Sequence, residues 1–295
     1  LFSATVPTAM AYISDVTSSE ERAKCMGLVG AAFGLGFILG PAFGGILSGW
    51  GGIRLPLFGA GMLSLAALAF AFFSLSETVD TKNPVRRDYD RFNLLNLLRA
   101  LRHPKLGVLF LIFFTVSLAF SNLETVFALY LERVFDYSTT QAGYFFAMIG
   151  FISAFTQGVL IGKLAKRFGE TRLITVATLI LGLSFIMLPL TNRVVFFTMA
   201  VAFIALSLGL HNPSVTSLIS KNAQREEQGS ILGINQSFSS LGRVLGPFWA
   251  GFFFDRFGPG IPFITAGILV LIASLLSLKL NKKELSESTF ANSVK

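Results

Sequence analysis

The sequence predicts an all-α membrane protein built from helical bundles, and three observations carry that prediction: its composition, its charge-free runs and an internal repeat. Of 295 residues, 53% are hydrophobic and 14% charged, with 32 phenylalanines, whereas a soluble domain carries about 25% charged residues. Runs free of Asp, Glu, Lys and Arg cover 1–14, 25–49, 55–75, 106–123, 141–162, 173–192, 194–220, 228–254 with Arg243 as the one interruption, and 257–278. Most reach the ~20 residues that a helix needs to cross hydrocarbon. Membrane-spanning strands alternate in polarity over ~10 residues. These runs are continuously apolar, so nine transmembrane helices are expected.

Along the chain, 1–75 holds the first three runs and forms one unit. The stretch 76–105 is the long hydrophilic segment, with Lys82, Arg86, Arg87, Arg91, Arg99, Arg102 and Lys105. Within it Leu94, Leu95, Leu98 and Leu101 share one helical face and Asn93, Asn96 and Arg99 another. That pattern predicts a helix over 91–102 lying flat at the lipid surface, with an unstructured linker as the alternative. The six runs over 106–278 form a second unit, a six-helix bundle, and 279–295 is a polar tail.

The charge of +8 is distributed as a topology signal. Nineteen of the 24 Lys and Arg residues fall in alternate loops together with the tail, four in the other loops, and Arg243 inside a helix. Basic loops stay in the cytoplasm, which places 76–105 and the C-terminus there and residue 1 outside. A nucleic-acid role is not needed to explain the charge. The chain opens with Leu in a short span that lacks the cationic n-region of a signal peptide, and is expected to be cut from a longer one.

Cys25 is the single cysteine, and His103 and His211 lie far apart without acidic companions, so no metal site and no cofactor are expected. A nucleotide loop of the Gly-x-x-x-x-Gly-Lys-Ser/Thr type does not occur, nor does a Ser, His and Asp grouping. The reading is a non-enzyme.

Shifting 7–45 by 206 positions onto 213–251 matches 12 of 39 residues without a gap, among them Pro7 with Pro213, Glu20 and Glu21 with Glu226 and Glu227, Gly36 with Gly242, Gly40 with Gly246, Pro41 with Pro247 and Gly45 with Gly251. The copies lie six spans apart and cross in the same direction. Parallel six-helix repeats are a transporter design with substrate handled between the halves. The offset places the first half's missing start about a hundred residues ahead of Leu1.

At these residues the sequence resembles the major facilitator superfamily. Gly36, Gly40, Pro41, Gly44 and Gly45 are similar to the fifth-helix signature of its drug and proton antiporters. The loop from Gly162 to Arg172 resembles its loop signature in the second-half copy: Gly162, Leu164, Ala165, Arg167 and Gly169 match, while Lys166 holds the family's Asp position. The resemblance implies nine of twelve helices, from within the fourth to the twelfth, and alternating access. It implies a small-molecule substrate, protons or another coupling ion, membrane lipid around the chain, a monomer, and a cell-membrane location. Physically, glycines four apart let another helix approach closely, and Pro41 removes a backbone hydrogen bond.

Ionisable groups within membrane spans are costly and therefore functional candidates. Glu124 and Arg243 are the two: Glu124 is read as a proton-coupling or cation-binding carboxylate, or else a structural one hydrogen-bonded near the outer interface, and Arg243 as a structural counterion or gate anchor, or else a substrate ligand. Gln157, His211, Asn212, Asn235 and Gln236 are candidates for a substrate cavity or for bonds between helices. Phe113, Phe114, Phe120, Phe127, Tyr130, Phe145 and Phe146 could line a pocket or fill the core. The expected function is proton-coupled efflux of drugs or small metabolites. An uptake symporter of the same fold, or a non-transporting membrane receptor or assembly protein, remains open.

Overall fold

The structure, a computed structural model, describes residues 43–75 apart from 53, then 106–222 and 228–293, with isolated positions before 43 and at 101 and 103. Side chains at 228–230, 279 and 281–293 lie outside that description. So do Pro41 and most of 1–42, and the helix expected over 91–102 apart from Leu101.

Every described element is helical, as hydrocarbon demands of a chain that must satisfy its own backbone. After helical turns over 43–51 come α1 (Arg54–Ser74), α2 (Leu106–Phe135), α3 (Thr139–Phe155), a π-helical turn (Thr156–Leu160) and α4 (Ile161–Phe168). Then follow α5 (Glu170–Met187), α6 (Val194–Lys221), α7 (Gln228–Phe257) and α8 (Ile261–Ser293). Six stretches among the described residues are long and apolar enough to cross a membrane: α1, α2, α3 through α4, Glu170–Leu190, α6 and Ile261–Leu278. At 30 residues α7 is also long enough, but Asn235, Gln236 and Arg243 dilute its apolarity.

Local chemistry sets the ends. Ser138 caps α3, accepting from the Gln141 amide while Gln141 Oε1 accepts from the Ser138 amide at 2.8 Å, the reciprocal box that a Ser-Thr-Thr-Gln sequence specifies. Gly169 takes φ 78° where α4 ends and α5 begins, a conformation that costs glycine nothing. Several helices outrun their charge-free stretches: α2 continues past 123 to Phe135, α4 past 162 to Phe168, α7 past 254 to Phe257 and α8 past 278 to Ser293.

The helices from α2 onward pack as one bundle. Here α2 lies between α7 and α8, α8 runs along α5, α5 along α6, and α6 along α3. One apolar cluster gathers Phe127, Tyr130, Phe185, Phe197 and Phe263; the other gathers Phe110, Ile112, Ile174, Val215 and Phe238 near the start of α2. Phe127 and Tyr130 are therefore core residues, with Phe145 and Phe146 packed against them, so of the two readings these four residues fill the core. In contrast, α1 buries none of its residues.

Candidate functional site

The site is the seam between α2 and α7, and glycine makes it possible. A Cβ on Gly242 would stand 2.8 Å from the Phe114 carbonyl oxygen, and one on Gly246 would stand 2.7 Å from Ser121 Cβ and 2.9 Å from the Leu118 carbonyl oxygen. Only hydrogen fits, so the two backbones touch. Ser117 and Ser239 pair their hydroxyls across the seam at 3.1 Å. Near its far end the Arg133 guanidinium lies 4.7 Å over the Phe254 ring.

Pro247 sits inside α7. Lacking an N–H, it leaves the carbonyl four residues earlier without its helical donor, and that carbonyl is Arg243's. Ser121 of α2 supplies the donor, its hydroxyl reaching the Arg243 carbonyl at 3.2 Å. One turn further along α2, Glu124 Oε2 lies 3.8 Å from Arg243 Nη2, with the Glu124 side chain 30% exposed and that of Arg243 45%. The two charges singled out in the sequence are thus neighbours, on backbones fixed against one another. Asn122, between Ser121 and Glu124 in the chain, is fully buried and donates to the Pro262 carbonyl at 3.0 Å, tying α2 to the start of α8.

The other polar candidates divide. Gln157, in the π-helical turn, and Asn212 and Gln236 are exposed. His211 is fully buried, stacked on Phe113 at 6.1 Å between ring centres, with Nδ1 3.3 Å from Asn212 Oδ1. Asn235 is 4% exposed. These two therefore do not line an open cavity in this structure, because the helix faces that carry them are packed inward. The π-helical turn was not legible in the sequence; its extra residue directs Gln157, Gly158 and Val159 outward while Thr156 remains buried.

In the first unit, Gly36, Gly40 and Gly44 have no described atom within 4 Å of where a Cβ would stand, whereas one on Gly45 would lie 3.4 Å from Gly143 Cα and from the Thr140 carbonyl oxygen. Thr140 Oγ1 donates to the Gly45 carbonyl at 3.2 Å, and the Ser48 and Thr139 hydroxyls lie 3.4 Å apart. Among the described residues the contact between 43–51 and the second bundle thus falls on Gly45 and the start of α3. In the loop motif, Gly169 makes the turn, Arg167 lies over the Phe168 ring at 5.3 Å, and Gly162 faces open space. Sequence reasoning missed Glu170, whose Oε1 accepts from Ser217 Oγ at 2.8 Å and from Lys221 Nζ, clamping the start of α5 to the end of α6. A carboxylate in a first helical turn is the available signal, but its partners lie some fifty residues away.

With this geometry in place, comparison with known proteins is informative. The sequence profile of the Major Facilitator Superfamily matches residues 1–247 and 195–293. Multidrug resistance protein 2 of Bacillus subtilis is 29% identical over 281 residues, covering 95% of this chain and 70% of that protein. Multidrug resistance protein 1 of the same organism is 30% identical over 274 residues, covering 92% and 68%. The crystal structure of the human organic anion transporter MFSD10 (TETRAN) superposes with a TM-score of 0.68 at 25% identity, covering 91% of this chain and 66% of that one.

Proposed function

The chain belongs to the Major Facilitator Superfamily, a membrane transporter resembling drug-efflux proteins and not an enzyme, and from that premise we propose that it exports small molecules in exchange for protons. The observation that carries the proposal is the Glu124–Arg243 pair, two ionisable groups placed away from the helix ends in the seam of α2 and α7. A carboxylate there can exchange a proton for its arginine partner. If the two conformational states hold Glu124 and Arg243 at different separations, they bind the proton with different affinity, which is the one requirement for a gradient to drive the equilibrium between them.

In this proposal twelve helices form two bundles, of which the chain supplies nine, and the bundles rock about a site near the midplane. The basic loop 76–105 and the C-terminus face the cytoplasm, and the protein works as a monomer in the cell membrane. The contact of Gly45 and Ser48 with Thr139 and Thr140 then lies at the outer ends of the two units, where it closes the path to the outside.

The test is gradient-driven flux in sealed proteoliposomes carrying the full-length protein. Glu124→Gln keeps size and hydrogen bonding but removes titration. The expected result is export that no longer follows the imposed proton gradient, with a loss of about tenfold or more, the scale of a modest affinity difference between two states, while a weaker, gradient-independent substrate exchange continues. Wild-type rates and pH dependence would make Glu124 a structural residue, and flux in the opposite direction would make the protein an uptake symporter.

A further inference from the structure

Glu124 and Arg243 are near one another without being bonded. Their closest approach of 3.8 Å exceeds the ~3.2 Å limit of an N–H···O bond. Among the described residues neither side chain makes a hydrogen bond. The carboxylate can accept about four and the guanidinium can donate five, so almost all of that capacity is left to groups from outside the described residues. The backbones beneath them are not free to close the gap: Gly242 and Gly246 seat α7 directly on α2, and Ser121 holds the Arg243 carbonyl. Both side chains remain partly exposed, so the open side of the pair is where an incoming group would arrive.

Charge balance selects that group. A simple cation would draw Glu124 away and strand Arg243 in apolar surroundings, and a simple anion would do the converse. Breaking from one side a pair that is only partly exposed is the costly event. A molecule carrying both charges a few ångströms apart strands neither. Its ammonium takes the carboxylate, while its own carboxylate meets the planar fork of the guanidinium, a match two hydrogen bonds wide.

We propose that the Glu124–Arg243 pair is a recognition site for zwitterionic small molecules, with the cationic group on Glu124 and the anionic group on Arg243. This deepens the export reading and rests on it for its use in transport. The test does not depend on flux, because it measures binding alone. Full-length protein in detergent is titrated at neutral pH with three ligands sharing one indole body: tryptophan, a zwitterion; tryptophan methyl ester, a cation; and N-acetyltryptophan, an anion.

The expected result is that tryptophan binds about tenfold tighter than either singly charged analogue, the scale on which an unpaired desolvated charge is felt. In Glu124→Gln the order shifts toward N-acetyltryptophan, and in Arg243→Gln toward the methyl ester. Exchanging the charges in one protein, Glu124→Arg with Arg243→Glu, keeps the pair and the preference for tryptophan, and it serves where a single variant fails to fold. An order of affinity unchanged in the single variants overturns the proposal. So does the absence of a tryptophan preference in the wild type, including no binding of any of the three at millimolar concentration. Zwitterion binding with no gradient-driven flux would leave this site standing and remove the export reading.

Discussion

Asn122 shows how single side chains divide between holding this bundle together and leaving something undone. Its amide donates to the Pro262 carbonyl, but its own Oδ1 is buried without a described partner. Asn122→Leu removes a useful bond and an unmet acceptor together, so its cost in thermal unfolding of the purified protein should stay within about 1 kcal/mol. Asn122→Asp instead places a charge beside a carbonyl in a dry interior and should cost about 3 kcal/mol or more. A large loss for Leu and a small one for Asp would reverse this account. At this scale Glu124 and Arg243 were legible, because a charge within an apolar run stands out wherever it falls. Their proximity was not legible, since 119 residues separate them and only the docking of α7 on α2 brings them together. Glu170 escaped notice for the opposite reason: it lies at a loop edge where charges are ordinary, and its value comes from Ser217 and Lys221 on another helix.

Helices in this bundle are spaced by what their glycines permit. Adding a methyl at Gly242 or Gly246 forces α7 off the α2 backbone, and each Ala variant should lose about 1–3 kcal/mol of stability. Gly233 and Gly251, with open space around them, should accept Ala with changes of at most about 0.5 kcal/mol. Denaturation midpoints of the four variants, compared side by side, check the contrast; equal losses would mean that the spacing is set elsewhere. The sequence made the pattern visible through its repeat, yet spacing alone could not say which glycine touches what. The first-unit contact falls on Gly45, one helical turn and a residue beyond the Gly40 that the pattern emphasised, because the helix meets α3 near its end. Of the nine spans read from apolar runs, six stand among the described residues as apolar helices of membrane length, whereas the π-helical turn leaves no periodic signature over five residues.

For the whole molecule, the described contact between the two units is narrow: Gly45, Ser48 and Gly49 on one side, Thr139, Thr140 and Gly143 on the other. If the units must part there during the transport cycle, a covalent link should stop the cycle. Ser48→Cys with Thr139→Cys, made in a Cys25→Ser background, should form a disulfide on oxidation, abolish flux in the full-length protein and regain it on reduction. Undiminished flux in the fully cross-linked protein would mean that this end stays closed throughout. A first unit, a basic linking stretch and a second bundle were expected from charge placement and repetition. Which ends of the units meet was not legible, because that depends on conformation.

The hydroxyl of Ser121 on the Arg243 carbonyl also has a genealogical consequence. With proline at 247 that carbonyl depends on a neighbouring helix; with alanine there it would regain its own helical donor. The cost of Ser121→Ala, about 1 kcal/mol beside Pro247, should therefore nearly vanish in a Pro247→Ala background. The two positions are epistatic, and substitutions can accumulate cheaply in only one order: the proline departs first and the serine is then released from its duty.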